Sequence, residues 1–105
     1  TWYVYNRASP LCIKFDSYMG TGGDWASKAG YSVSHEPKLH TALSFVHGQA
    51  GSSPEYGHVA FVEQVKDDGS ILISEMNVTG LPPLTVSYRT FSADEAKQFW
   101  YVEGK

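Results

Sequence analysis

Two stretches of alternating residues joined by a turn signal constrain this chain more than any other feature. Residues 57–65, which begin Gly57-His58-Val59-Ala60 and end at Val65, and residues 70–77, Ser70 through Asn77, both carry the β-rich, period-two pattern of strands. The four residues between them, Lys66-Asp67-Asp68-Gly69, are turn chemistry, so the pair reads as an antiparallel hairpin. Residues 41–46 add a strand before it, and 85–90 and 99–102 add strands after it. The intervening residues 47–56 form a Gly- and Ser-rich loop, and Leu81-Pro82-Pro83 is a turn.

The amino-terminal part follows a different pattern. Val4 and Ala8 stand at helical spacing in residues 1–8, a short helix that stops before Ser9-Pro10. Ser9 as N-cap with Pro10 at the first helical position predicts a second helical turn through Phe15. Residues 19–23 form a glycine-rich loop. Asp24 then reads as the N-cap of a helix through Trp25, Ala26 and Ala29 that Gly30 closes. Ser92-Ala93-Asp94-Glu95 is a capping box for one more helical turn. Helices first and an antiparallel sheet afterwards define an α+β chain.

Composition bounds the rest. At 105 residues the chain has room for one core, and no repeat, charge block or low-complexity tract divides it, so residues 1–105 read as a single domain. Eight basic and eleven acidic residues give a formal charge of −3 with no Lys/Arg cluster, which argues against a nucleic-acid partner. No apolar run approaches the roughly 18 residues of a membrane span. The lone Cys12 excludes an internal disulfide and a cysteine-based zinc cage. No two histidines have the spacing of a helical zinc motif, Asp67-Asp68-Gly69 lacks the other ligands of a calcium loop, and Gly20-Thr21-Gly22-Gly23 lacks the Lys-Ser/Thr of a phosphate loop. No metal or cofactor is therefore expected.

The chemically loaded residues lie on the hairpin. A four-residue loop pairs Val65 with Ser70, sets Asn77 opposite His58 and places Glu75 diagonal to it. A two-residue loop keeps the face but slides Glu75 away, and an odd loop sends Glu75 to the opposite face. The first register gathers an imidazole, a carboxylate and a carboxamide, as a nucleophile's base requires. A histidine opening a strand beside such neighbours is, on its own, more often structural than catalytic. Glu75 weighs on the other side: a carboxylate between Ile73 and Met76 is costly to bury unpaired, and His58 is the partner at hand. His35, His40 and His47 lie in loop or strand-edge contexts. For a nucleophile the chain offers Cys12, near the start of a helical turn but flanked by Leu11 and Ile13, and Thr1 through its α-amine; neither fits well.

Thr1-Trp2-Tyr3-Val4-Tyr5-Asn6-Arg7, Gly23-Asp24-Trp25-Ala26, Ala29-Gly30-Tyr31-Ser32-Val33, Tyr56-Gly57-His58-Val59-Ala60-Phe61-Val62-Glu63 and Ser74-Glu75-Met76-Asn77 together resemble, in order, the CHAP family of cysteine, histidine-dependent amidohydrolases/peptidases. The resemblance implies a papain-like fold with short amino-terminal helices packed on the sheet, and hydrolysis of an amide in bacterial peptidoglycan, by an N-acetylmuramoyl-L-alanine amidase or endopeptidase activity. It places the general base on His58 and the orienting polar groups on Glu75 and Asn77. It places the nucleophilic cysteine immediately before Thr1, so the chain is expected to be an amino-terminally truncated domain, inactive as it stands. Cys12 does not match the motif. A peptidoglycan partner implies a secreted or wall-associated setting. Trp25, Tyr31, Tyr56 and Trp100 are candidate groove aromatics, with core packing at least as good a reading for each. The alternative function is a catalytically inactive domain that binds wall fragments or other proteins.

Overall fold

In the computed structural model, residues 2–15, 19, 22–27, 30–52, 57–76 and 85–105 are described. Among them are the helices α1 (Trp2–Ala8) and α2 (Ala93–Ala96) and the strands β1 (Ser32–Ser34), β2 (Ala42–Phe45), β3 (His58–Val65), β4 (Ile71–Glu75), β5 (Ser87–Phe91) and β6 (Trp100–Glu103). The strands form one antiparallel sheet in the order β1-β6-β2-β3-β4-β5. Short helices on an antiparallel sheet confirm the α+β, papain-like expectation.

Side-chain alternation divides the apolar residues between the two faces of this sheet. One face carries Leu43, Phe45, Ala60, Val62, Ile71, Ile73, Phe91 and Tyr101, closed by Ala96 of α2 and by Phe99. The other carries Ala42, Val59, Phe61 and Val102, against which Val4 and Ala8 of α1, Phe15, Met19 and Trp25 pack. Burial of both faces explains why β2 is apolar or buried at every position rather than alternating.

Helix α1 is tied to the sheet by a chain of polar contacts. Tyr3 Oη donates to Ser74 Oγ at 2.8 Å, and Ser74 Oγ donates to Glu63 Oε2 at 2.6 Å. Arg7 grips the same carboxylate with two N–H groups, Nε at 2.9 Å and Nη2 at 2.8 Å. Burial alone would raise the Glu63 carboxyl, but the hydrogen bonds from Arg7 and Ser74 hold it below its usual range.

The hairpin does not take the four-residue loop that would pair Val65 with Ser70. Lys66 N–H bonds to Ser70 O at 2.8 Å, Gly69 N–H to Lys66 O at 2.9 Å, and Val65 pairs with Ile71. The turn is thus an odd one, with Gly69 at φ +88° and Asp68 Oδ1 accepting from both Ser70 N–H and Ser70 Oγ–H. An odd turn alone would put Glu75 on the wrong face. One residue later the register shifts between Val62 and Gln64, so Glu63 is an extra residue on β3, and below it Val62 pairs with Ile73 and Phe61 with Ser74. The two odd offsets cancel, and His58 and Glu75 share a face.

Other expectations are corrected. After α1 the chain tightens into a 3₁₀ turn, Ser9–Leu11, capped by Ala8 rather than Ser9, and it ends at Cys12 in a left-handed conformation (φ 61°) instead of continuing to Phe15. Lys14 pairs with Lys105 through both backbone groups instead. Asp24 lies inside a 3₁₀ helix, Gly22–Ser27, in its first turn rather than before its start. The three-residue strand β1, beside β6, is too short to show a period in sequence.

The start of β3 depends on a glycine. Gly57 sits at φ +69°, and a Cβ there would lie 2.6 Å from Phe45 O and 2.8 Å from the backbone of Gly23. The 3₁₀ helix therefore lies directly against the residue that precedes His58. Gly57→Ala is expected to destabilise the chain by about 1–3 kcal/mol, from strain and overlap together. Urea unfolding measures this, and an unchanged midpoint would contradict the close approach.

Candidate active site

His58 opens β3 directly opposite Phe45 of β2, and the two rings stack with centroids 5.1 Å apart. Glu75 closes β4 on the same face. His58 Nε2 lies 2.9 Å from Glu75 Oε1, and the Glu75 side chain has no solvent exposure. The pairing expected of these two residues is present. Asn77 and Thr1 lie outside the described residues.

A third side chain, not singled out from sequence, completes the arrangement. Arg89 of β5 donates from Nε to Glu75 Oε2 at 2.6 Å and from Nη2 to Glu75 Oε1 at 2.8 Å. Its Nη1 donates to Ala50 O at 3.0 Å, and its guanidinium lies over the rings of Phe45 and Phe91. The readable signal was alternation in residues 85–90, which puts Arg89 on the face of Phe91. That β5 lies beside β4, bringing Arg89 to Glu75, follows only from the strand order.

These partners decide the ionisation of Glu75. Burial pushes its carboxyl upward, but hydrogen bonds from His58 and Arg89, reinforced by the Arg89 charge, leave it below the usual carboxylate range. An ionised carboxylate only accepts hydrogen bonds. His58 must therefore present N–H at Nε2, which leaves Nδ1 of the neutral ring as its basic nitrogen. A stacked, oriented imidazole with a fixed tautomer is suited to taking and returning a proton.

The other candidates have different surroundings. His35 Nδ1 lies 2.8 Å from Phe99 O, and its ring lies 3.7 Å from that of Trp100. His40 stacks on Phe61 at 5.7 Å, and His47 is exposed. Cys12 is exposed at the carboxyl end of its turn, not at the start of a helix. Trp25 is fully buried against Phe15, so it packs the core and does not line a groove. Tyr31 packs on Phe15, and Tyr56 lies outside the described residues. Among the described residues no three His, Cys, Asp or Glu side chains come together as a metal set, and no helix is long and apolar enough to cross a membrane.

The family model of the CHAP domain matches residues 1–77. The chain belongs to the CHAP domain family. An N-acetylmuramoyl-L-alanine amidase domain-containing protein of Staphylococcus aureus is 46% identical over 108 residues, covering 100% of this chain and 17% of that protein. The N-acetylmuramoyl-L-alanine amidase sle1 of Staphylococcus epidermidis is 38% identical over 105 residues, 97% of this chain and 30% of its own length. A probable autolysin of Staphylococcus aureus is 37% identical, with 97% and 37% covered. The crystal structure of an N-acetylmuramoyl-L-alanine amidase from Staphylococcus aureus superposes on the CHAP chain with a TM-score of 0.93 at 46% identity, covering 100% of this chain and 30% of that one. The CHAP chain thus spans well under half the length of these relatives.

The depressed Glu75 carboxyl makes the stability of the fold depend on pH. Its contribution to stability is complete above the ordinary carboxylate range, about pH 4.3, and is lost as pH falls through its lower folded-state value. Glu75→Gln is expected to cost about 1–3 kcal/mol at neutral pH and to flatten the acid limb of a stability–pH profile. An acid limb identical to that of the unsubstituted chain would show that Glu75 is not held ionised.

Proposed function

We propose that this CHAP domain belongs to an exported peptidoglycan hydrolase that cleaves an amide bond, either muramoyl–alanine or within the stem or bridge peptides. The pairing of His58 with buried Glu75 carries this reading, because it gives the domain an oriented base, and membership of a family whose members include named amidases supports the substrate class. The nucleophile proposed is a cysteine immediately preceding Thr1 in the longer protein. Cys12, exposed at the end of its turn, is not favoured for that role.

In this mechanism His58 takes the thiol proton, giving a thiolate–imidazolium pair. The thiolate attacks the amide carbonyl, the C–N bond breaks, and the leaving amine departs with the proton from His58. The product is a thioester and neutral His58. Water then gives a proton to His58 and attacks the thioester, and collapse releases the carboxylic acid and regenerates the thiol. Glu75 holds the ring in the Nε2–H tautomer and offsets its positive charge. Asn77 is proposed to contribute a hydrogen bond to the imidazole or to the oxyanion, as backbone amides of the opening helix could. No metal or cofactor is required.

Release of new amine termini from purified cell walls tests the proposal in a chain extended upstream to include the cysteine. His58→Ala there is expected to lower turnover by about 10²–10⁴-fold with the fold retained. Retained turnover would remove His58 from its role. A thiol alkylator is expected to abolish activity and a chelator to leave it unchanged; inhibition by the chelator alone would replace the thiol route with a metal route. Wall binding without cleavage by the extended chain would favour the non-catalytic alternative.

A further inference from the structure

We propose that Arg89 is a positioning residue that sets the proton affinity of the His58–Glu75 unit, an inference that rests on the catalytic reading of His58. Glu75 is entirely buried, yet its two carboxylate oxygens accept three hydrogen bonds, and two of these come from Arg89. The guanidinium is itself placed from several sides. It lies over Phe45 and Phe91, and its Nη1 donates to the carbonyl of Ala50. The backbone there is unusual: Gly48, Ala50 and Gly51 all have positive φ (80°, 50° and 82°). Gln49 braces the turn, accepting from Val46 N–H and donating to Gln98 O. Arg89 is thus locked between this loop and the buried carboxylate.

The charge arithmetic follows from this placement. A buried carboxylate with His58 as its sole partner would hold a proton on the pair, either as imidazolium–carboxylate or as imidazole–carboxylic acid. Arg89 supplies a permanent positive charge to the same oxygens. It neutralises Glu75 whatever the state of His58, and it opposes a second positive charge on the ring. Both effects lower the proton affinity of the pair. The groups concerned are His58 on β3, Glu75 on β4 and Arg89 on β5, and from β2 the ring meets the uncharged Phe45; among the described residues His58 has one ion pair, to Glu75. The consequence is a base that can be neutral in the resting site while its orienting carboxylate stays ionised, so the Nε2–H tautomer persists across the proton cycle.

Imidazole NMR titration of the chain, in the absence of substrate, tests this directly. Arg89→Gln is expected to raise the His58 midpoint by about one unit, while His35, His40 and His47 stay in place as internal references. Arg89→Lys, which keeps the charge, is expected to restore most of the original midpoint. An unmoved His58 midpoint in folded Arg89→Gln overturns the proposal. Should that variant not fold, the unsubstituted chain still decides: Nε2–H as the neutral tautomer, with the Glu75 carboxyl carbon showing no protonation above the ordinary carboxylate range, supports the role. An Nδ1–H tautomer, or a Glu75 that protonates above that range, overturns it. Since none of these readings uses hydrolysis, a failed cleavage assay and a failed titration remain separate results.

Discussion

A carboxylate with no solvent exposure organises one end of this sheet. Desolvating Glu75 costs several kcal/mol unless its charge and lone pairs are met, and three strands contribute to meeting them. β4 places the carboxylate, β3 brings His58, and β5 brings Arg89. The aromatic rings of Phe45 and Phe91 supply the low-dielectric surroundings that make these contacts strong. The ion pair is poor evidence of stability for its own sake, since an apolar replacement could fill the same space. Its value lies in orientation: it leaves the imidazole one tautomer and one ring position.

On the opposite face, Glu63 plays a comparable part for the opening helix. It is half-buried, gripped by Arg7 and Ser74, and reached from Tyr3 through Ser74. The two acidic residues thus stand on opposite faces of the same hairpin, one holding an imidazole and the other holding a helix. Both carboxyls are kept below their usual range against the effect of burial, so both parts of the architecture respond to acid in the same direction.

What could be read from the residues alone follows the length of the signal. The hairpin strands, the strand at β2 and the capping box at Ser92 each carry several mutually consistent cues, and the structure has them, with the box closed from both sides. The pairing of His58 with Glu75 was accessible because burying an unpaired carboxylate is expensive. Arg89 was not, because its role depends on which strand lies beside β4 rather than on anything local. The turn at Cys12 and the 3₁₀ helix at Asp24 show capping residues overridden by tertiary context: Lys14 leaves the helical path to pair with Lys105, and Trp25 is drawn fully into the core. Trp25 also shows that a large ring reads identically in sequence whether it packs or binds.

The hairpin's two odd offsets make its length a matter of parity. An insertion or deletion of a single residue, in the turn or at the bulge, reverses which side of the sheet the lower half of one strand presents, parting His58 from Glu75 while leaving composition nearly untouched. Paired changes, one at each place, preserve the facing. Relatives descending from a common ancestor should therefore vary in turn length by even steps, or else gain and lose the bulge in concert with the turn.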